Sequence, residues 1–454
     1  MNTELLSPAG SLKNMRYAFA YGADAVYAGQ PRYSLRVRNN EFDHDNLKIG
    51  IDEAHALGKK FYVVVNIQPH NSKLKNFIRD IEPIIAMQPD ALIMSDPGLI
   101  MMVREHFPDM QIHLSVQANA INWATVKFWK DYGLSRVILS RELSLEEIEE
   151  IQKHVPEIEL EVFVHGALCM AYSGRCLLSG YMNKRDANQG ACTNACRWEY
   201  KIHDAKEDVN GDVIPVQQLD EPTQCCSKAD SEDTTQTVLV QRNEEEMFAA
   251  EEDEHGTYFM NSKDLRAVQH VDRLTHMGVA SLKIEGRTKS YFYCARTAQI
   301  YRKAIDDALS GKAFDQSLMY QLEGLANRGY TEGFLRRHIH SDYQNYEDGS
   351  SHFDYQQFCG EVLERHGDYV RIEVKNRFLV GDSLELMTPK GNISFVLEHM
   401  RDQKGNSIDN AKGSGHIVEI PLTHDIDIAY ALLIRNLPHA KEQLQPSALA
   451  YAVN

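Results

Sequence analysis

Over its first 290 residues the chain repeats one pattern: a short β-branched or aromatic run ending in polar residues, then 10 to 20 residues with apolar positions at helical spacing. Nine such runs read as strands: Glu4 to Leu6, Ala25 to Ala28, Phe61 to Val65, Ala91 to Met94, Ile112 to Val116, Arg136 to Leu139, Glu159 to Val164, Tyr258 to Met260 and Ser281 to Ile284. Helix boundaries are marked between them. Ser7-Pro8 precedes a helical stretch, Ser144 and Glu147 form a capping box, and Gly58, Gly133 and Gly278 stand where helices stop. Tyr291 to Leu309 reads as a long amphipathic helix that closes the region. Strand-helix alternation predicts an α/β fold with a parallel, TIM-barrel-like core. Such a barrel needs eight strands, so one of the nine candidates is surplus.

From about Gln356 the pattern changes to short strands separated by turns, with no helical period. Cys359 to Arg365, Tyr369 to Val374, Ser383 to Met387, Ile393 to His399, Ile417 to Ile420 and Ala431 to Ile434 predict a small closed β-barrel. The expected organisation is therefore a catalytic domain at 1–330, a linker at 331–355, the small β-barrel at 356–437 and a tail at 438–454. Within the first domain lie a cysteine loop at 165–200 and an acidic insertion at 201–255.

In a parallel barrel, chemistry gathers where strands end at the C-terminal rim. The residues at or just past those ends include Asn66, Asp96, Gln117, Arg141, His165, Asn261, Lys283, Glu285 and Arg287. Polarity alone is what any loop shows; together these groups predict an anion-capable pocket. Asn66, Gln117, Arg141, His165, Lys283, Glu285 and Arg287 are the candidate substrate-binding set. Arg141, Lys283 and Arg287 are its carboxylate or phosphate holders, because cationic forks grip planar anions.

Half of the chain's 8 cysteines, Cys169, Cys176, Cys192 and Cys196, fall just beyond His165 in a loop carrying Gly166, Gly174, Gly180 and Gly190. Four soft donors at a strand end suggest a metal centre. Their gaps of six, fifteen and three residues suit a loop wrapped around an iron-sulfur cluster better than zinc knuckles, and both readings stand on spacing. A cysteine peptidase wants a single activated thiol rather than four, and the chain has neither an H-E-x-x-H helix nor a G-x-S-x-G elbow.

The net charge of −17 argues against a nucleic-acid partner until its distribution is considered. Residues 201–255 hold 16 acidic and 4 basic side chains, a net of −12, which leaves −5 for all the rest. That stretch reads as a solvated, mobile insertion. No apolar run reaches the roughly 18 residues of a membrane span, and the N-terminus is no export signal. The expectation is a cytoplasmic protein with reduced thiols and no membrane partner.

ELLSPAG, GADAVYAGQPRYSLRVR, EVFVHGALCMAYSGRCLLSGY with GACTNACRWEY, and SLKIEGRTKSYFYCARTAQIYRKAID together resemble the collagenase-like peptidase family. More narrowly they are similar to its branch of prephenate-dependent tRNA uridine hydroxylases. The resemblance covers everything but the acidic insertion. It implies a TIM-barrel-like core and a 4Fe-4S cluster on Cys169, Cys176, Cys192 and Cys196, with a later cysteine serving as the fourth ligand in some relatives. It also implies hydroxylation of the wobble uridine of tRNA to 5-hydroxyuridine without molecular oxygen, with prephenate as co-substrate and an electron donor as partner. Such a reaction is an oxidation, which a cluster serves and zinc does not. Arg36, Arg38, Lys184, Arg185 and Arg197 are then candidate contacts to the anticodon loop, and Tyr27, Tyr33, Tyr172 and Trp198 candidate stacking partners for its base. A peptidase and a zinc-stabilised RNA-binding protein are the alternatives.

Overall fold

Eight strands close into a parallel barrel: β1 (Glu4–Pro8), β2 (Ala25–Gly29), β3 (Lys60–Val65), β4 (Ala91–Met94), β5 (Ile112–Leu114), β6 (Arg136–Ile138), β7 (Glu159–Ala167) and a final strand at Ser281–Ile284. The structure is a computed structural model. It describes residues 3–30, 32–35, 40–168, 263–327, 329–336, 356–413, 415–422 and 426–437, together with the backbone of strands within 201–257. Closure comes from the Ser281–Ile284 strand, which pairs with β1 on one side (Glu4 opposite Ser281) and β7 on the other (Glu161 opposite Ser281). These are eight of the nine predicted runs; the ninth, Tyr258 to Met260, lies outside the described residues.

The crossover helices are α1 (Leu12–Ala20), α2 (His44–Ala56), α3 (Asn71–Leu74), α4 (Phe77–Ala86), α5 (Pro97–His106), α6 (Trp123–Asp131), α7 (Leu145–His154), α8 (Val271–His276) and α9 (Tyr291–Leu309), with α10 (Ser317–Glu323) after them. Their starts are fixed by side-chain oxygens that accept otherwise unpaired N–H groups. Ser11, Asp43, Asp96, Asn122 and Ser290 cap α1, α2, α5, α6 and α9, and Ser144 with Glu147 completes a capping box on α7. Asp96 thus serves a helix start.

The acidic stretch carries more order than a mobile insertion. Its backbone forms a five-stranded antiparallel sheet from β8 (Lys201–Glu207), β9 (Val213–Pro215), β10 (Gln236–Asn243), β11 (Glu246–Asp253) and β12 (Gly256–Thr257). The chain returns through β13 (Asp264–Arg266), antiparallel to β7, before the final barrel strand, which takes the label β14. A short β15 (Tyr330–Thr331) pairs with β13.

The C-terminal region is not the closed β-barrel that its short strands predict. It is an open antiparallel sheet of β16 (Gln356–His366), β17 (Tyr369–Val374), β19 (Ser383–Thr388), β20 (Gly391–Val396), β21 (Arg401–Asp402), β23 (Ile417–Pro421) and β24 (Leu432–Asn436), in the order β20-β19-β24-β16-β17-β23-β21. A two-stranded ribbon, β18 (Phe378–Leu379) with β22 (Asn410–Ala411), lies beside it. The edge strands β20 and β21 do not pair with each other. The reason is a divided allegiance. Leu384, Leu386 and Leu433 pack into the sheet's own core, while Met387, Leu432 and Ile434 on the opposite face join the core of the parallel barrel. A sheet that covers its second face with another domain has no need to curl on itself.

Candidate functional site

The barrel interior carries a ladder of buried charge. Near the N-terminal end, Arg136 on β6 donates to Glu4 on β1 at 2.6 Å and to Glu161 on β7 at 3.1 Å, and the Tyr62 hydroxyl donates to Glu4 at 2.8 Å. One layer nearer the mouth, the Lys283 ammonium on β14 donates to Glu161 at 2.7 Å and lies 4.3 Å from the centroid of the Tyr27 ring. Phe163, two residues on from Glu161, lies 3.9 Å under the guanidinium carbon of Arg141. Arg141 donates to the carbonyl of Ala167 at 2.8 Å and to Glu285 at 2.7 Å.

Burial sets the electrostatics. It alone would raise the Glu4 carboxyl, but Arg136 and the hydrogen bond from Tyr62 outweigh it and hold Glu4 below the ordinary value. For Lys283 burial wins: its ammonium is pulled below the usual lysine value although Glu161 opposes the shift. His113, buried and facing Arg136, Lys283 and Lys60, is held well below the ordinary imidazole value and is neutral. Lone buried charges cost several kcal/mol each, so the ladder persists because each cation has a carboxylate against it.

At the mouth, six of the seven predicted binding residues fall into two groups joined by hydrogen bonds or a shared aromatic ring. Asn66 donates to Ser115 at 3.3 Å and to Gln117 at 2.9 Å, while its carbonyl accepts from the Leu35 amide at 3.1 Å. Arg287 donates to Ser34 at 3.1 Å and to the Leu35 carbonyl, so the Leu35 residue links Asn66 to Arg287. In the other group, Arg141 bonds Glu285 and Lys283 bonds Glu161, and the two cations share the Phe163 ring. The Arg141–Glu285 pair is the part nearer solvent, with side chains 10% and 19% exposed.

His165 stands apart. Period two along β7 would set it on the inward face with Glu161 and Phe163. A bulge intervenes: Phe163 lies opposite Lys283, but the next residue of β14, Ile284, lies opposite His165. The ring turns to the outer layer, packing against Tyr293 and Tyr301 of α9 and Tyr330, with Nδ1 3.3 Å from the Tyr301 hydroxyl. Burial, helped by Arg266 and Lys289, lowers its pKa to about 3, so it is neutral. The next residue, Gly166, has φ +108 and lies so close to Glu285 that an added Cβ would be 2.5 Å from its carbonyl oxygen, so only glycine fits where β7 meets β14 at the rim.

Other expectations fare variously. Tyr27 and Tyr33 are buried, with hydroxyls donating to Ile284 O and Asp80, so neither presents an exposed ring to a base. Cys169, Cys176, Cys192, Cys196, Arg36, Arg38, Lys184, Arg185, Arg197, Tyr172, Trp198 and Asn261 lie outside the described residues. In sequence, Cys169 stands two residues past the end of β7. Among the described residues no group of three or more His, Cys, Asp or Glu side chains is arranged to hold a metal ion. Cys294 and Cys359 are buried, and burial pushes both thiols up to about 12, the opposite of an activated nucleophile. Sequence reasoning missed Glu4, Tyr62, Arg136 and Glu161. The signal was present in Leu160-Glu161-Val162 and Leu282-Lys283-Ile284, where a charge interrupts an apolar run at the centre of a strand.

A closed parallel barrel with a charged mouth, a cysteine-rich stretch of sequence after its seventh strand and an appended antiparallel sheet is the setting in which the sequence comparisons fall. The chain belongs to peptidase family U32: that family's profile matches residues 10–345, and the profile of the U32 C-terminal domain matches 354–435. It is 68% identical to tRNA hydroxylation protein P of Escherichia coli over 96% of this chain and 99% of that one. A protein of the same name from Haemophilus influenzae is 66% identical, with 96% of each chain covered. tRNA hydroxylation protein P1 of Bacillus subtilis is 33% identical over 93% of this chain and 92% of its own.

Proposed function

We propose that this chain is a tRNA-modifying hydroxylase that converts the wobble uridine of its substrate tRNAs to 5-hydroxyuridine in a prephenate-dependent reaction. The observation that carries the reading is 68% identity to a tRNA hydroxylation protein P across nearly the whole of both chains. Cys169, Cys176, Cys192 and Cys196 would hold a 4Fe-4S cluster; four thiolates are its usual donor set, and in sequence they follow β7, which ends at the barrel mouth. When bound, the cluster supplies electron transfer.

The chain's own residues supply the binding chemistry. Prephenate carries two carboxylates, and Arg141 is the guanidinium placed to take one: a ligand carboxylate replaces Glu285 while the bond to Ala167 O keeps the fork aimed. Arg287, tied to Ser34 and Leu35, adds a second positive charge at the rim. Lys283 lies deeper, where its pairing with Glu161 fixes a cation beneath the mouth rather than in contact with solvent. The anticodon loop is single-stranded, so its base can be splayed toward this pocket.

Mass spectrometry of tRNA from a strain lacking the gene tests the reading. Expected are reduced 5-hydroxyuridine, restoration by the wild-type chain and no restoration by Cys176→Ser. Protein purified without air should be brown and carry about four irons per chain. Unchanged nucleoside levels on both deletion and overexpression would overturn the substrate assignment, and stoichiometric zinc would overturn the redox one.

A further inference from the structure

The segments that follow β2 and β3 at the barrel mouth, as far as α3 and the first turn of α4, carry a cationic patch that the mouth geometry does not use. Arg32, Lys73, Lys75 and Arg79 stand there, two of them sharing the carboxylate of Asp80, in a chain of net −17. Asp80 is a bracket. It accepts from Arg32 at 2.6 Å, from Arg79 at 3.0 Å and 3.2 Å, and from the Tyr33 hydroxyl at 3.0 Å. Tyr33 in turn packs its ring edge-on against Phe77 at the start of α4, and its carbonyl accepts from the Ile67 amide, so the two loops are stitched together beneath the charges. Despite those bonds the side chains of Arg32 and Arg79 remain 64% and 69% exposed. Each guanidinium is tied to Asp80 and still largely exposed, which lowers the ordering cost of taking a second anion. Lys73 is pulled below its ordinary value chiefly by burial and further by Arg32 beside it.

We propose that Arg32, Lys73, Lys75 and Arg79 form a phosphodiester-binding track that seats the RNA backbone beside the barrel mouth. A solvated surface run is the ordinary explanation for scattered lysines. It does not explain two arginines fixed on one shared carboxylate at the barrel mouth. Polyanions are the ligands such a surface selects, and because phosphate contacts release counterions they carry a signature that packing roles lack. The proposal rests on the tRNA reading above and adds to it where the strand lies.

The test is filter binding of unmodified, transcribed tRNA to the full chain, with sodium chloride stepped from 50 to 200 mM. Lys73→Gln/Lys75→Gln/Arg79→Gln should lose about tenfold or more in affinity at low salt, and its slope of log K against log salt should flatten by about 2, since each phosphate contact contributes roughly 0.7 to 0.9. Lys73→Gln/Lys75→Gln, which leaves the Asp80 bracket whole, should flatten the slope by about 1.5. A control with the same loss of charge, Lys127→Gln/Lys130→Gln/Lys153→Gln on α6 and α7, should match wild type. Wild-type affinity and slope in the triple loop variant would overturn the track while leaving the hydroxylase reading intact. Equal losses in the outer-helix control would overturn it as a mere effect of net charge. Absence of tRNA binding by the wild-type chain would overturn it too, and the nucleoside analysis then decides separately whether the hydroxylase reading also fails.

Discussion

Glu161 has no contact with solvent and holds two cations, Arg136 and Lys283, on its two oxygens. Breaking a buried pair from one side strands the other charge, which costs about 3–5 kcal/mol, whereas removing both members costs much less. Glu161→Gln is therefore expected to destabilise the barrel by about that amount, and the double variant Glu161→Gln/Lys283→Met by less, a coupling of about 1–3 kcal/mol in urea unfolding. The pH dependence has a definite sign. Lys283 already sits below its ordinary value through burial, and losing Glu161 removes the main force opposing that shift. Between the depressed folded value and the ordinary value near 10.4, the unfolded chain binds more protons than the folded one, so stability rises with pH. Glu161→Gln should recover part of its lost stability between pH 7 and pH 10, and the double variant should not. Parallel pH profiles for the two would show that Lys283 does not depend on Glu161.

At the scale of elements, the junction of β7 with α9 depends on a neutral histidine. His165 stays uncharged in the folded protein down to about pH 3, while an unfolded histidine titrates near 6.5. As pH falls through that window the unfolded chain takes up a proton that the folded one refuses, and stability drops by up to about 1.4 kcal/mol per pH unit. His165→Phe keeps a ring among Tyr293, Tyr301 and Tyr330 and should flatten this acid limb between pH 6 and pH 4; an unchanged limb would place the acid sensitivity elsewhere. The same junction shows what a linear sequence discloses and what it hides. The eight barrel strands were legible because β-branched runs such as Phe61 to Val65 and capping residues such as Ser144 act locally. The direction of His165 was not, because it follows from one bulge, and a bulge is set by how β7 and β14 close the barrel. The pairing of Arg141 with Glu285 joins residues 144 apart, which no periodicity reveals. Short strands likewise announced a C-terminal β region without saying that it stays open, since closure depends on what covers the second face.

For the molecule as a whole, the barrel and the C-terminal sheet share a core and a polar seam, which predicts joint unfolding. Phe292 of α9 stacks on Phe358 of β16 with centroids 4.9 Å apart, and the Tyr21 hydroxyl lies 3.0 Å from the Met387 carbonyl and 2.9 Å from that of Tyr430. Lys13 and Tyr17 of α1 both bond Glu361. Arg296, buried on α9, is the central tie: it donates to Gln356 at 2.6 Å and lies 2.9 Å from Glu385. Because apolar contact and buried charge are lost together when the two parts separate, calorimetry of the wild-type chain should give one main transition. Arg296→Met removes the tie and leaves Glu385, which keeps its hydrogen bonds from Gln356 and Asn392, without its cation, at a cost of about 1–3 kcal/mol. That penalty falls on the interface alone, so the variant is expected to unfold in two steps, the sheet first, with the barrel's own transition little changed. Two separated transitions already present in the wild type would mean that the shared core does not couple the domains, and a single lowered transition in Arg296→Met would mean that it couples them even without the arginine.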